Sequence, residues 1–180
     1  GIGGRGKKAF LLAASYLFYA AWSPPFVLLI WFSTVVDWTL AKRMARTESP
    51  SARKTLVTLS LVANLGLLGY FKYGGFLLDT FVQLAGAIGI QYQPVDWGIV
   101  LPVGISFYTF QTLSYTIDIY RKELEPAESF LDFALFVTFF PQLVAGPIVR
   151  ASEFLPQLTK PRRGTPDQIG WGLVLLIIGL

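Results

Sequence analysis

The chain of 180 residues contains neither cysteine nor histidine. Without cysteine there are no disulfides, thiolate nucleophiles or thiolate metal sites. Without histidine the commonest general base near neutral pH and the commonest metal ligand are both missing. Charge is also sparse: 14% of the residues are Asp, Glu, Lys or Arg, against roughly 25% in an ordinary soluble domain. No basic face suited to nucleic acid is visible. Hydrophobic residues make up 53% of the chain and aromatics 16%. Phosphate-cradling Gly-Lys-Ser/Thr loops and Gly-x-Ser-x-Gly elbows are absent. Chemistry by this chain alone would fall to carboxylates, Tyr, Lys or Ser.

The apolar residues fall into runs at about 9–23, 26–41, 55–72, 75–92, 98–120 and 130–149, and a further run begins near 168. Runs of this kind predict an all-α, polytopic membrane protein built as a single domain. Twelve of the 15 basic residues flank the runs: Arg5, Lys7, Lys8; Lys42, Arg43, Arg46, Arg53, Lys54; and Arg150, Lys160, Arg162, Arg163. If basic loops face the cytoplasm, two passes separate the first clusters and four separate the next. That arrangement puts the connection 121–129 on the opposite side. Ser23-Pro24-Pro25 must break a helix, so 9–41 is either a helical hairpin or a re-entrant pair. Gly69-Tyr-Phe-Lys-Tyr-Gly-Gly75 reads as a tight turn with Lys72, Tyr70 and Tyr73 anchored at the interface. Gln91–Asp96 reads as a plain loop. Both ends read as cuts in a longer protein. Trp171–Leu180 runs apolar to the terminus, and the first residue is Gly.

The segment Leu101–Arg121 is apolar enough to span, yet it carries Ser106, Gln111, Ser114, Tyr115 and Asp118. Polar groups at membrane depth are costly unless they face protein or water. On a helix from about 103, Gly104, Tyr108, Gln111, Tyr115 and Asp118 recur at spacings of four and three and share a face. That stripe serves equally as interhelical glue or as a cavity wall. In Phe139–Arg150, Pro141 and Pro147 break the helix twice, with Gln142 at the first break. Arg150 reads as a headgroup anchor or as a bidentate ligand for an anion. Asp37, Asn64 and Asp79 look like isolated intramembrane polar groups.

Leu101-Pro-Val-Gly-Ile-Ser-Phe-Tyr-Thr-Phe-Gln-Thr-Leu-Ser-Tyr115, with Asp118 and Tyr120-Arg121, resembles the signature of bacterial membrane-bound O-acyltransferases, and most of all their alginate O-acetyltransferase branch. Phe139–Arg150, Ala14-Ser-Tyr-Leu-Phe-Tyr19 and Gly69–Tyr73 are similar to further blocks of that branch. The resemblance implies a partial fold of broken helices around a central tunnel in the bacterial inner membrane. It also implies an acetyl-CoA-like thioester donor, an extracytoplasmic polysaccharide acceptor and accessory acetyl-transfer proteins. Ser106, Tyr108, Gln111, Tyr115, Asp118 and Gln142 would face the tunnel, and Arg150 would meet the anionic donor. No catalytic residue and no metal ligand is assigned within these residues. The family's essential histidine belongs to a Trp- and Arg-rich block that this chain does not contain. A transporter or channel, or a non-catalytic membrane subunit, would use the same polar stripe. A transporter should show pseudo-symmetric halves, and none is evident.

Overall fold

The computed structural model describes residues 4–91, 98, 100–143, 146, 148–159 and 164–179, and the backbone alone at 144 and 145. Pro147, Lys160, Pro161, Arg162, Arg163 and most of the loop expected at Gln91–Asp96 lie outside the described residues. Most of the described residues are helical, and none of them forms a strand. The helices are α1 (Gly4–Trp22), α2 (Pro24–Arg46), α3 (Pro50–Leu68), α4 (Gly74–Ala87), α5 (Ile105–Tyr120), α6 (Phe130–Thr138), α7 (Phe140–Ala145), α8 (Ala151–Thr159) and α9 (Pro166–Gly179). Two helical stretches are long and apolar enough to cross a membrane, Pro24–Arg46 and the continuous Pro50–Ala87.

Local sequence explains the boundaries. Ser23 in extended conformation starts α2, and Pro24 and Pro25 occupy its first turn, where a missing amide costs nothing. Arg43 and Arg46 fall in the last turn of α2 and complement its negative end. Ser49 Oγ accepts from the Ala52 amide at 3.4 Å to cap α3, and Pro50 follows at the first helical position.

Side-chain contacts settle the direction of each helix. Met44, near the end of α2, accepts from Arg53 at the start of α3. Phe26, at the start of α2, packs edge-on against Phe71. Tyr19, near the end of α1, donates to the Val103 carbonyl just before α5. Thus α1 and α2 are antiparallel, as either a hairpin or a re-entrant pair requires, and both helices are longer than the apolar runs suggested.

One end of the bundle gathers charge. Lys8 of α1 pairs with Asp132 of α6 at 2.7 Å, and Arg53 bonds to the carbonyls of Ile119 and Tyr120 at the end of α5. The connection 121–129 therefore lies at the same end as the 42–54 cluster, not opposite it. Two segments account for the difference. The expected tight turn at Gly69–Gly75 is instead a π-helical turn, Gly69–Tyr73, that carries α3 straight into α4. The run 75–92 is thus no return pass. Its helix α4 has the single buried residue Ala85.

The other segment is 130–149. From the charged end, α6 and α7 run toward Phe18 and Gly104. Then α8 comes back: Phe154 stacks on Phe136 and Phe139, and Leu155 and Thr159 reach the cleft that Arg5, Lys8 and Asp132 line. Pro156 inside α8 hid this return leg in the sequence.

The core lies where α1, α2, α3, α5 and α6 meet, around Ile30, Met44, Tyr108, Tyr115, Phe133 and Phe136. By contrast α9 has no buried residue. Phe76, Leu77, Phe81 and Leu84 of α4 are likewise exposed.

Candidate functional site

The polar stripe of α5 meets a deliberate break in the neighbouring helix. Pro141 has no amide, and its ring cannot sit behind the carbonyl of residue 137. The helix therefore stops at Thr138 and restarts at Phe140. In an unbroken helix the Phe140 amide would bond to the Phe136 carbonyl. Both groups are instead taken by side chains from other helices. Gln111 Nε2 donates to the Phe136 carbonyl at 2.7 Å. The Phe140 amide donates to Ser15 Oγ at 3.4 Å, and Ser15 donates in turn to the Leu11 carbonyl at 2.9 Å. Gln111 also reaches Gln142 Oε1 at 3.4 Å. A break buried among helices survives only when its freed backbone groups are satisfied in this way.

Gly104 lets the halves come together. It holds φ +75 at the start of α5, and a Cβ there would sit 2.9 Å from the Leu143 carbonyl oxygen. Only glycine takes both the left-handed backbone and the close approach.

Each anticipated site residue has a definite place. Gln111 and Gln142 are brought together at the break. Tyr115 is buried, with its ring 4.4 Å from that of Phe133, and its hydroxyl accepts from the Ala127 amide at 3.0 Å. Tyr108 is only 2% exposed, and its hydroxyl has no hydrogen-bond partner among the described residues. Ser106 lies half-buried at the far end of α5, where its hydroxyl accepts from Lys72 Nζ at 3.4 Å. Asp118 is half-buried near the charged end, and its backbone carbonyl accepts from the Glu123 amide. Arg150 is exposed just before α8, one turn ahead of Phe154 and away from the end of α8 that reaches the charged cleft. Gln111 and Tyr115 thus bond to backbone, and in the stripe Tyr108 is buried without a partner among the described residues.

Asp37 and Asn64, expected to be isolated polar groups, are instead joined to each other in a second polar centre. Asp37 Oδ1 accepts from Ser60 Oγ at 2.6 Å and from Asn64 Nδ2 at 2.9 Å. Its other oxygen accepts from the same amide at 2.9 Å. Asn64 Oδ1 accepts from Ser33 Oγ at 2.7 Å and Thr112 Oγ1 at 3.3 Å. All five side chains are buried, so the node ties α2, α3 and α5 together in a low-dielectric interior. The four-residue spacings Ser33/Asp37 and Ser60/Asn64 were the available signal. They set two polar pairs on two helix faces. Among the described residues no cluster of three acidic side chains could hold a metal.

Over nearly its whole length the chain aligns with bacterial O-acetyltransferases. It is 38% identical over 179 residues to the probable alginate O-acetylase of Pseudomonas aeruginosa, covering 98% of this chain and 34% of that protein. The corresponding protein of Azotobacter vinelandii is 37% identical over 177 residues, covering 97% of this chain and 35% of the relative. The peptidoglycan O-acetyltransferase of Helicobacter pylori is 33% identical over 199 residues, covering 96% of this chain and 37% of the relative. The chain spans about a third of the length of these curated relatives. No family model matches it, and no solved structure does. It is a homologue of the O-acetyltransferase branch of the membrane-bound O-acyltransferases, as its sequence blocks implied.

Proposed function

We propose that this chain forms part of a membrane O-acetyltransferase that moves an acetyl group from a thioester donor onto a hydroxyl of an envelope polymer, a polysaccharide or peptidoglycan. The observation that carries this reading is the alignment of 96–98% of the chain with proteins named for O-acetylation of alginate or peptidoglycan. The polar groups fit a supporting role. Gln111, Ser15 and Gly104 hold the α6–α7 break in one geometry. The Tyr108 hydroxyl is buried without a hydrogen-bond partner among the described residues, and a donor in such a low-dielectric setting bonds strongly to a polar ligand beside it. With no histidine, the chain supplies wall and donors rather than the histidine base that the resemblance implies.

The test is the ester-bound acetate that mild alkali releases from polysaccharide and peptidoglycan of the host. Loss of the gene should abolish it in one polymer, and the full-length gene should restore it. Tyr108→Phe should restore it only partly, with the protein at normal abundance. Unchanged ester acetate in both polymers after gene loss would sink the proposal.

A further inference from the structure

The charged end of the bundle carries a cleft of about 430 Å³ between the ends of α2 and α5 and the start of α3. Arg53, Lys122 and Glu125 line it, with apolar walls from Ala45, Ile119 and Leu124. We propose that this cleft binds a phosphate group, carried by an anionic phospholipid headgroup or by free phosphate. This does not depend on the acetyl-transfer reading.

Three observations carry it. First, Arg53 is 7% exposed, and its guanidinium bonds to three neutral carbonyls, of Met44, Ile119 and Tyr120, at 2.6–2.9 Å. Helix C-terminal carbonyls offset part of the desolvation cost but do not cancel a unit charge. The sole ion pair among the described residues is Lys8–Asp132, so no carboxylate neutralises Arg53 there. Second, Lys122 holds φ 63 at the position after α5 that glycine usually fills. Its amide bonds to the Ile119 carbonyl and the next amide to that of Asp118. A lysine kept in the left-handed region costs about 1 kcal/mol or more, and here the strained residue lies on the cleft's rim. Two cations against the one carboxylate, Glu125, leave a net charge of +1 in the lining.

Third, depth is right. A helix of 23 residues such as α2 is about 34 Å long, slightly more than a ~30 Å hydrocarbon core. The end of α2 therefore lies at headgroup level, and the cleft with it. A planar guanidinium beside an ammonium suits phosphate oxygens, and the apolar walls suit the carbon skeleton of an ester.

The experiment uses the full-length protein in phosphatidylcholine nanodiscs, with phosphatidylglycerol added in one arm and inorganic phosphate in the other. Lipid retention is read by native mass spectrometry, and stability by thermal unfolding. Wild type should retain phosphatidylglycerol over phosphatidylcholine and unfold at a higher temperature with it. Lys122→Asn keeps a residue tolerant of the left-handed backbone but removes the charge. It should weaken retention about fivefold, while Glu125→Gln should strengthen it. Stabilisation by inorganic phosphate alone, abolished by Lys122→Asn, assigns the site to free phosphate. Equal retention of both lipids with no effect of phosphate overturns the proposal. So does a Lys122→Asn protein that matches wild type in both arms.

Discussion

Gln111 donates its side-chain amide to the Phe136 carbonyl at 2.7 Å, in place of the Phe140 amide that an unbroken helix would have offered. Replacing Gln111 with Leu should leave that carbonyl buried and unpaired. A buried polar group without its partner costs about 1–3 kcal/mol. Thermal unfolding of the full-length protein in detergent should show the loss, and Gln111→Met should not rescue it, because a thioether has no proton to donate.

Asp37 and Asn64 should be strongly non-additive. Asn64→Leu removes four of the node's five side-chain hydrogen bonds and leaves only that from Ser60 to Asp37. It should cost about 3 kcal/mol or more, since the carboxylate loses most of its donors. Asp37→Leu combined with Asn64→Leu should be less destabilised than the sum of the single variants. A double-mutant cycle on unfolding free energies measures the coupling, and strict additivity would refute the node as a cooperative unit.

Arg53 closes the ends of α2 and α5 at once, through Met44 and through Ile119 and Tyr120. Arg53→Lys keeps the charge but loses the fork that spans both helices. We expect a loss of about 2 kcal/mol and faster proteolysis in 121–129. Equal cleavage rates in both proteins would show that the fork does not secure this connection.

Gly104→Ala should be among the most damaging small substitutions in the chain. It demands φ +75 from an L-residue and sets a methyl 2.9 Å from the Leu143 carbonyl oxygen. Strain and overpacking together should exceed about 2 kcal/mol. Solubilised yield and melting temperature report it. The control Gly66→Ala, where nothing lies within 4 Å, should be neutral or better, since glycine lowers helix stability.

Tyr115→Phe deletes one bond, from the Ala127 amide at 3.0 Å, and keeps the stacking on Phe133. About 1 kcal/mol should be lost, with faster hydrogen exchange at Ala127 as the local signature.

Much of this architecture was legible because helix breakers speak locally. Ser23-Pro24-Pro25 marks the α1–α2 joint, and Pro141 marks the break after α6. Glycine is more ambiguous. Gly69, Gly74 and Gly75 fit a turn as readily as a helix, and the chain stays helical through them. Counting a return pass at 75–92 then displaced 121–129 to the wrong end. Pairings across the bundle are harder still. Ser33, Asp37, Ser60, Asn64 and Thr112 lie on three helices, and only packing joins Asp37 to a partner 27 residues away. The stripe on α5 was visible as a periodicity. Periodicity gives a shared face, but which hydroxyl or amide finds a backbone partner depends on the helix opposite. That is why Gln111 and Tyr115 proved to be bonded to backbone while Tyr108 did not.

The π-helical turn at Gly69–Tyr73 also separates two rotational settings within one rod. A residue accommodated there, rather than in a loop, leaves the helix unbroken but changes the azimuth of everything after it. Deleting one residue between 69 and 73 would restore ordinary pitch and leave α4 close to its present bearing, whereas winding all five residues at ordinary pitch would swing it about 100° around the common axis. Phe76, Leu77, Phe81 and Leu84 would then point along new bearings, while α3 kept Ser60 and Asn64 on Asp37.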